Sequence, residues 1–509
     1  MTISELPVTK QRIEHFDVLI VGAGVSGIGA AAHLERSQPG KSYAVLEARD
    51  AIGGTWDLFR YPGIRSDSDL HTFGYAFKPW TDDKAIADGD SIRAYIEETA
   101  EEYGVDRHIR FGHRVQRASW SSEYARWTVE VERVATGETL RITAGWLFSG
   151  CGYYRYDEGF TPHFEGSENF RGQIIHPQQW PEDLDYSGKR VIVIGSGATA
   201  MTLVPAMAEE AAHVTMLQRS PTYVLPLPAE DKLNNRLRGL LGEERAYKVT
   251  RTKNIIRQRI FYSLCRRFPR LLRRVIRQIN DAHLPESVPV DVHFKPAYDP
   301  WDQRLCIVPD ADLYNTLHRG DASIATGHIE TFTDSGIRLK SGEELEADII
   351  VTATGLNLQA FGGIELAVDG RDISLPETIA YKGMMLSGVP NFVYAIGYTN
   401  ASWTLKIDLV CEYLCRLLAH LDKRGLDAAV PDPQNPEMQT QPLIDFEAGY
   451  VLRAIDQLPK QGEHEPWYLA QDYFKDARYL RRGDVEDGEM RFFAAGESAA
   501  AAGEQALAA

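Results

Sequence analysis

Two short glycine runs are the residues of this chain best suited to handling phosphate: Gly22-Ala-Gly24-Val-Ser-Gly27 and Gly195-Ser-Gly197-Ala-Thr-Ala200. Bare backbone at the first two glycines of each run lets amides approach a pyrophosphate, and a helix opening there adds partial positive charge. Gly27, and Ala200 in the second run, allow the helix to pack closely on its strand. The residue that ends the following strand separates the two sites chemically. In the first it is Glu47, a carboxylate able to accept both hydroxyls of an unphosphorylated ribose. In the second it is Gln218, followed by Arg219, whose guanidinium suits a 2′-phosphate that a carboxylate would repel. The first site therefore suits FAD and the second NADPH.

Each run stands where such chemistry requires it, between an apolar strand and a helix. Phe16-Asp-Val-Leu-Ile-Val21 leads into the first run, an alanine-rich helix continues to about Arg36, and Tyr43–Leu46 closes the unit. Arg190–Ile194 and His213–Leu217 flank the second run in the same way. Further buried strands are predicted over Ala347–Thr354 and Asn391–Ile396, with a helix from about Thr404 to Leu421. The fold class is α/β, with two dinucleotide-binding, Rossmann-like domains for FAD and NADP and an inserted helical region. The FAD-binding domain takes residues 1–150 and 346–493, and the NADP-binding domain takes 151–229 and 291–345. An Arg-rich helical insertion fills 230–290. The alanine-rich tail 494–509 is expected to be poorly ordered.

Composition narrows the function classes. With 72 acidic against 55 basic residues the 509-residue chain carries a net charge of −17, a poor start for gripping nucleic acid through its phosphates. The charge is uneven, however. Residues 231–280 hold 15 Lys and Arg against 3 Asp and Glu, a local +12. Within them, residues 251–277 mix apolar and basic groups at helical spacing, with Pro269 a break. Such helices could lie on an anionic bilayer and collect lipophilic substrates, or pack over a substrate cavity with a solvated basic face. Five cysteines are sparse and odd in number, as expected of a reducing cytoplasm, and Cys411 and Cys415 read as buried thiols on one helical face. No secretory h-region opens the chain and no long uncharged apolar run follows. The expected place is the cytoplasm, with the inner face of the cell membrane within reach of the basic block. No metal site is expected.

Two further segments carry a family resemblance. Phe170-Arg-Gly172-Gln-Ile-Ile-His176-Pro-Gln-Gln-Trp180-Pro181 resembles the F-x-G-x-x-x-H-x-x-x-W-P fingerprint of type I Baeyer–Villiger monooxygenases. Gly53-Gly54-Thr-Trp56-Asp-Leu-Phe-Arg-Tyr61-Pro62-Gly63-Ile-Arg-Ser-Asp67 resembles their second motif. Both match at every defined position, and the resemblance runs over nearly the whole chain. It is closest to the ethionamide-activating subgroup of mycobacteria, through residues 55–69 and Gly397-Tyr-Thr-Asn-Ala-Ser-Trp-Thr-Leu405.

The resemblance implies an NADPH- and O2-dependent FAD monooxygenase that converts lipophilic ketones to esters or lactones through a flavin peroxide, and also sulfoxidises thioethers. The alternative is an N- or S-oxygenating flavin monooxygenase without that ketone chemistry; Trp180-Pro181 and Arg304 favour the former. A disulfide reductase is excluded by the lack of paired cysteines near residues 53–67. Arg304 corresponds to the family's catalytic arginine, a fixed positive charge for an anionic oxidant, and Asp67 to the acid that orients it. Ser26, Thr55, Trp56, Asp57, Leu58, Asp67 and Val115 correspond to FAD contacts. Arg65, Ser66, Gly195, Ser196, Gly197, Ala198, Thr199, Ala200, Met201, Arg219 and Ser220 correspond to the NADP site. Where many relatives have lysine before the catalytic arginine this chain has Gln303, leaving Arg219 as the main NADP selector. His176 reads as part of an interdomain linker rather than as a proton-transfer group.

Overall fold

A computed structural model describes residues 13–497 except 304, 436, 445 and 447. The tail predicted over 494–509 therefore lies, from 498 onward, outside the described residues.

Strand Glu14–Val21 lies inside the first sheet, and its residues 18–20 are apolar on both faces and wholly buried. A strand with no polar face must be covered on both sides, which suits the parallel arrangement. It pairs in parallel with Tyr43–Leu46 and with Glu138–Ser149, and Phe392–Tyr394 extends this part beyond Glu138–Ser149. The sheet is mixed, however. His113–Ser121, Arg126–Arg133 and Glu138–Ser149 form an antiparallel meander whose alternate residues are buried, Trp120 and Trp127 meeting edge to face at 5.6 Å. Helix Val25–Ser37 covers the parallel part and packs against helix Thr404–Arg424. Cys411 and Cys415 are buried in the latter; burial raises both thiols, Cys415 to about 12, so they stay protonated and unreactive.

The second sheet is parallel throughout, in the order Ala322–Thr326, His213–Gln218, Arg190–Ile194, Ile349–Thr352, Gln173–Ile175. This corrects one boundary. A division at 345/346 assigns Ile349–Thr352 to the FAD part, whereas it pairs with Arg190–Ile194 in the second sheet. The chain returns to the first sheet only after residue 352. There Leu356–Leu358 runs antiparallel to Tyr154–Gly159, so the two connections between the sheets are hydrogen-bonded to each other.

The basic block forms helices Lys232–Leu241, Glu243–Arg267 and Pro269–His283, with Pro269 in the first turn of the third, where its missing N–H costs nothing. It is not a uniformly solvated face. Arg251 is buried and ion-paired to Asp408 at 3.0 Å, and Lys253, Arg259, Arg266 and Arg273 pair with Asp231, Asp472, Asp302 and Asp299. Apart from Asp231, which belongs to the block, these acids come from elsewhere in the chain and offset part of the local +12. Among the described residues no helix is long and apolar enough to cross a membrane.

Candidate active site

The two glycine runs fold alike. Val21 pairs with Leu46 in one unit and Ile194 with Leu217 in the other, and the amides of Gly22 and Gly195 donate to the Leu46 and Leu217 carbonyls at 2.7 and 2.8 Å. Gly22 has φ +98°, a conformation that L side chains avoid. A Cβ on Gly27 would lie 1.8 Å from the Gly22 carbonyl oxygen, so helix and strand can approach this closely only without one. The helices that follow, Val25–Ser37 and Ala198–Met207, begin at Gly24 and Gly197 with no side-chain cap. Their first-turn amides are therefore left for a ligand to satisfy. Gly197 faces open space.

The strand ends differ as their residue types require. Glu47 is buried, accepting from the Ala23 amide at 2.7 Å through one carboxylate oxygen and from the Arg49 amide at 2.9 Å through the other. Those bonds hold the carboxylate at the cradle, where it lines the cavity. Gln218 occupies the equivalent place in register but turns away, donating to the His293 carbonyl and to Thr326 Oγ1 at 2.8 and 2.9 Å. Arg219 is exposed at the cavity wall with no ion-pair partner among the described residues, and the Ser196 hydroxyl donates to the Ser220 carbonyl beside it. Lys340 and His328 share that wall.

One cavity of about 2140 Å³ connects both cradles. Pockets for single small ligands are typically about 300–1,000 Å³, so this space suits two dinucleotides and a substrate. Its wall includes Gly22, Gly24, Ser26, Glu47, Thr55, Trp56, Arg65, Ser66, Asp67 and Val115 from the first unit. Gly195 to Thr199, together with Arg219 and Ser220, come from the second, while Ala200 is buried behind them. Thr55 Oγ1 lies 3.1 Å from the Tyr156 hydroxyl, and Trp56 meets Phe73 edge to face at 5.7 Å. Arg65 is ion-paired with Asp312, which fixes it at the junction of the two units. Gln303 and Leu305 line the wall; Arg304 lies outside the described residues. Trp301 adjoins them at φ +75°, a left-handed conformation that a bulky side chain rarely takes.

Several residues expected at the cofactors are placed elsewhere. Asp57 is buried and held by Arg49, by Arg60 at 2.5 Å and by Arg93 at 3.6 Å, so its carboxylate organises the turn rather than the wall. Leu58, Gly27, Ala200 and Met201 are likewise absent from the wall, and the last three are buried in the helix–strand packing. His176 does not line the cavity. Its Nδ1 accepts from the Gln178 amide and its Nε2 faces the Gly355 carbonyl, both at 3.1 Å. An imidazole that accepts at one nitrogen and donates at the other is neutral, and burial lowers its pKa in the same sense. Gln178 adds bonds to the Arg155 and Tyr156 carbonyls, so this segment ties the paired connections together.

The structure also adds wall residues that the motifs did not mark. Arg257, Gln258 and Phe261 reach the cavity from the basic block, and Tyr398 to Trp403 reach it from the segment before the Thr404–Arg424 helix. The family-like run Gly397–Leu405 was a usable signal for the latter. The reading of residues 251–277 as helices packed over a cavity covers the former, although nothing local singles out these three side chains, because one helix face looks like another until something packs on it.

Comparison with known proteins identifies the family and the fold. The sequence profile described as flavin-binding monooxygenase-like matches residues 16–368. The FAD-containing monooxygenase EthA of Mycobacterium tuberculosis is 54% identical over 480 residues, covering 94% of this chain and 98% of that protein. A steroid monooxygenase structure with NADP has a TM-score of 0.73 at 23% identity, covering 94% of this chain and all of that one. The OTEMO complex with FAD and NADP has a TM-score of 0.72 at 19% identity, with the same coverage. At such identities the two structures speak for the fold alone.

Proposed function

The chain belongs to the flavin-binding monooxygenase-like family, and on that premise we propose that it is an NADPH- and O2-dependent FAD monooxygenase converting ketones to esters or lactones and thioethers to sulfoxides. The observation that carries this reading is the single cavity joining two uncapped cradles, one bearing a carboxylate and the other a guanidinium with no ion-pair partner among the described residues. The residues fit both groups: Glu47 suits ribose hydroxyls, Arg219 a 2′-phosphate, and the helix ends two pyrophosphates. When bound, FAD takes electrons supplied by NADPH, activates O2 and delivers one oxygen atom to the substrate.

The protein's own part is placement and electrostatics. The cradles would hold the two dinucleotides in one cavity, Gly22, Gly24 and Glu47 taking one and Gly195, Gly197 and Arg219 the other. Phe261, Trp301, Tyr398 and Trp403 give the enclosure apolar surface, which excludes water and strengthens every charge interaction inside it. Arg304, oriented by Asp67, is assigned the fixed positive charge that steadies negative charge at the reacting oxygen.

NADPH consumption under O2 with a panel of ketones and sulfides, with products identified, tests the reading. Esters or lactones support it. Sulfoxides alone replace it with the N- or S-oxygenating alternative, and hydrogen peroxide as the only product counts against both. For the coenzyme, Arg219→Ala is expected to raise KM for NADPH by about 10- to 100-fold, the worth of one charged hydrogen-bonded contact, while KM for NADH stays the same. Steady-state kinetics with both coenzymes checks this; a parallel rise for NADH would remove Arg219 from the 2′-phosphate.

A further inference from the structure

Part of the basic block faces neither the cavity nor the rest of the protein. Helix Glu243–Arg267 exposes Ile256, Ile260 and Leu264, each four residues from the last and so on one face. Phe268 at the bend is 49% exposed, and helix Pro269–His283 adds Leu271 and Val275, again four apart. Large apolar side chains do not ordinarily stand in water in such a row.

The cations beside this row are of two kinds. Arg266, Arg273 and Arg277 are held by Asp302, Asp299 and Asp291. Arg267, Arg270 and Arg274 are exposed, and none has an ion-pair partner among the described residues. Next to the row is a hollow of about 280 Å³ lined by Arg270, Arg273, Arg274, Arg277, Lys295 and Phe294. Asp291 and Asp299 engage its cations from the side, yet basic groups outnumber them.

We propose that this helical hairpin docks the protein on an anionic phospholipid surface. The hollow takes a headgroup phosphate, the unpaired arginines face neighbouring headgroups, and Leu264, Phe268, Leu271 and Val275 enter the acyl boundary. Charge and hydrophobicity together choose this partner. A soluble anion would fill the hollow but leave the apolar row in water, and nucleic acid would use the arginines alone; only a lipid surface satisfies both. The same Glu243–Arg267 helix presents Gln258 and Phe261 to the cavity, so the docked face lies one helix away from the proposed reaction chamber. Docking does not depend on what the cavity oxidises, and its test reads binding rather than turnover.

The test is sedimentation of the full-length FAD-loaded protein with vesicles of phosphatidylglycerol and phosphatidylcholine, and with phosphatidylcholine alone. Binding to the mixed vesicles only, weakening as salt is raised, is the expected result. R270E/R274E is expected to lower affinity at least 25-fold, at about 5-fold for each arginine lost near the surface. L271S/V275S is expected to weaken binding while keeping its salt dependence. Flavin absorbance and melting temperature like those of the parent show that both variants are folded. Equal sedimentation with both vesicle types, no sedimentation, or unchanged binding by folded variants would overturn the proposal. Self-association abolished by L271S/V275S, without vesicle binding, would give the row to a second copy of the chain instead.

Discussion

Arg304→Ala is expected to bind FAD and to be reduced by NADPH at near the parental rate while ester formation falls by about 10²–10³-fold, the usual cost of removing one preorganised charge-stabilising group. On the proposed reading the two steps use different groups. Electron delivery relies on the cradles, built from residues 22–27, 47, 195–201 and 219, and not on the Arg304 charge. Reduction involves no new anion at the substrate, so it does not need the guanidinium; oxygen transfer does. Anaerobic stopped-flow reduction measures the first step and product analysis under air the second. Ketone oxygenation retained in the variant would remove Arg304 from the chemistry, and slowed reduction would make it a structural group instead.

Arg251→Met is expected to cost about 3–5 kcal/mol of stability, because it leaves a buried charge uncompensated. Arg251 donates to the His71, Thr72 and Gly74 carbonyls at 2.9, 3.2 and 2.5 Å and to Asp408 at 3.0 Å. Asp408 is otherwise held by His33 at 3.2 Å and by the Ala76 amide at 2.8 Å. The variant removes the guanidinium from a wholly enclosed carboxylate and takes a donor from three carbonyls, of which Thr72 keeps the Thr404 hydroxyl. The double variant R251M/D408L, which removes both charges, should recover much of the loss. Thermal or denaturant unfolding checks both, and two single effects that simply add would show that the pair is not coupled.

The same pair determines a pH dependence. Burial pushes the Asp408 carboxyl up, but the His33 hydrogen bond and the Arg251 guanidinium more than offset this and hold it below its ordinary value. A carboxyl lowered in the native state contributes stability above its unfolded pKa of about 4 and loses it as pH falls. Without Arg251 the native value rises, so the variant's acid unfolding should begin at higher pH.

The Arg251 cluster also shows why parts of the site were legible in the residues and parts were not. The two cradles depend on spacing within about 30 residues: an apolar strand, bare glycines, a helix, and a strand ending in Glu47 or Gln218. Neighbours in the chain dictate that geometry, and the paired registers at Leu46 and Leu217 reproduce it. The basic block is the opposite case. Its +12 was visible in the sequence, but Arg251, Arg259 and Arg266 find their acids 157, 213 and 36 residues away in the chain, which no local pattern announces. Asp57 is instructive too. It belongs to a motif matching at every defined position, yet its carboxylate is sealed by three arginines.

By itself, then, the sequence determined the α/β class, the two dinucleotide cradles with their opposite ribose chemistry, and the family, because each rests on backbone geometry and residue type within one short unit. Only the tertiary structure decided that both cradles open into a single cavity and that Ile349–Thr352 belongs to the second sheet, and it supplied the partners of His176, whose linker role was already legible in the sequence. It also decided which arginines of the basic block stay unpaired. Burial and charge compensation arise between segments far apart in the chain, and their energies exist only once those segments are packed together.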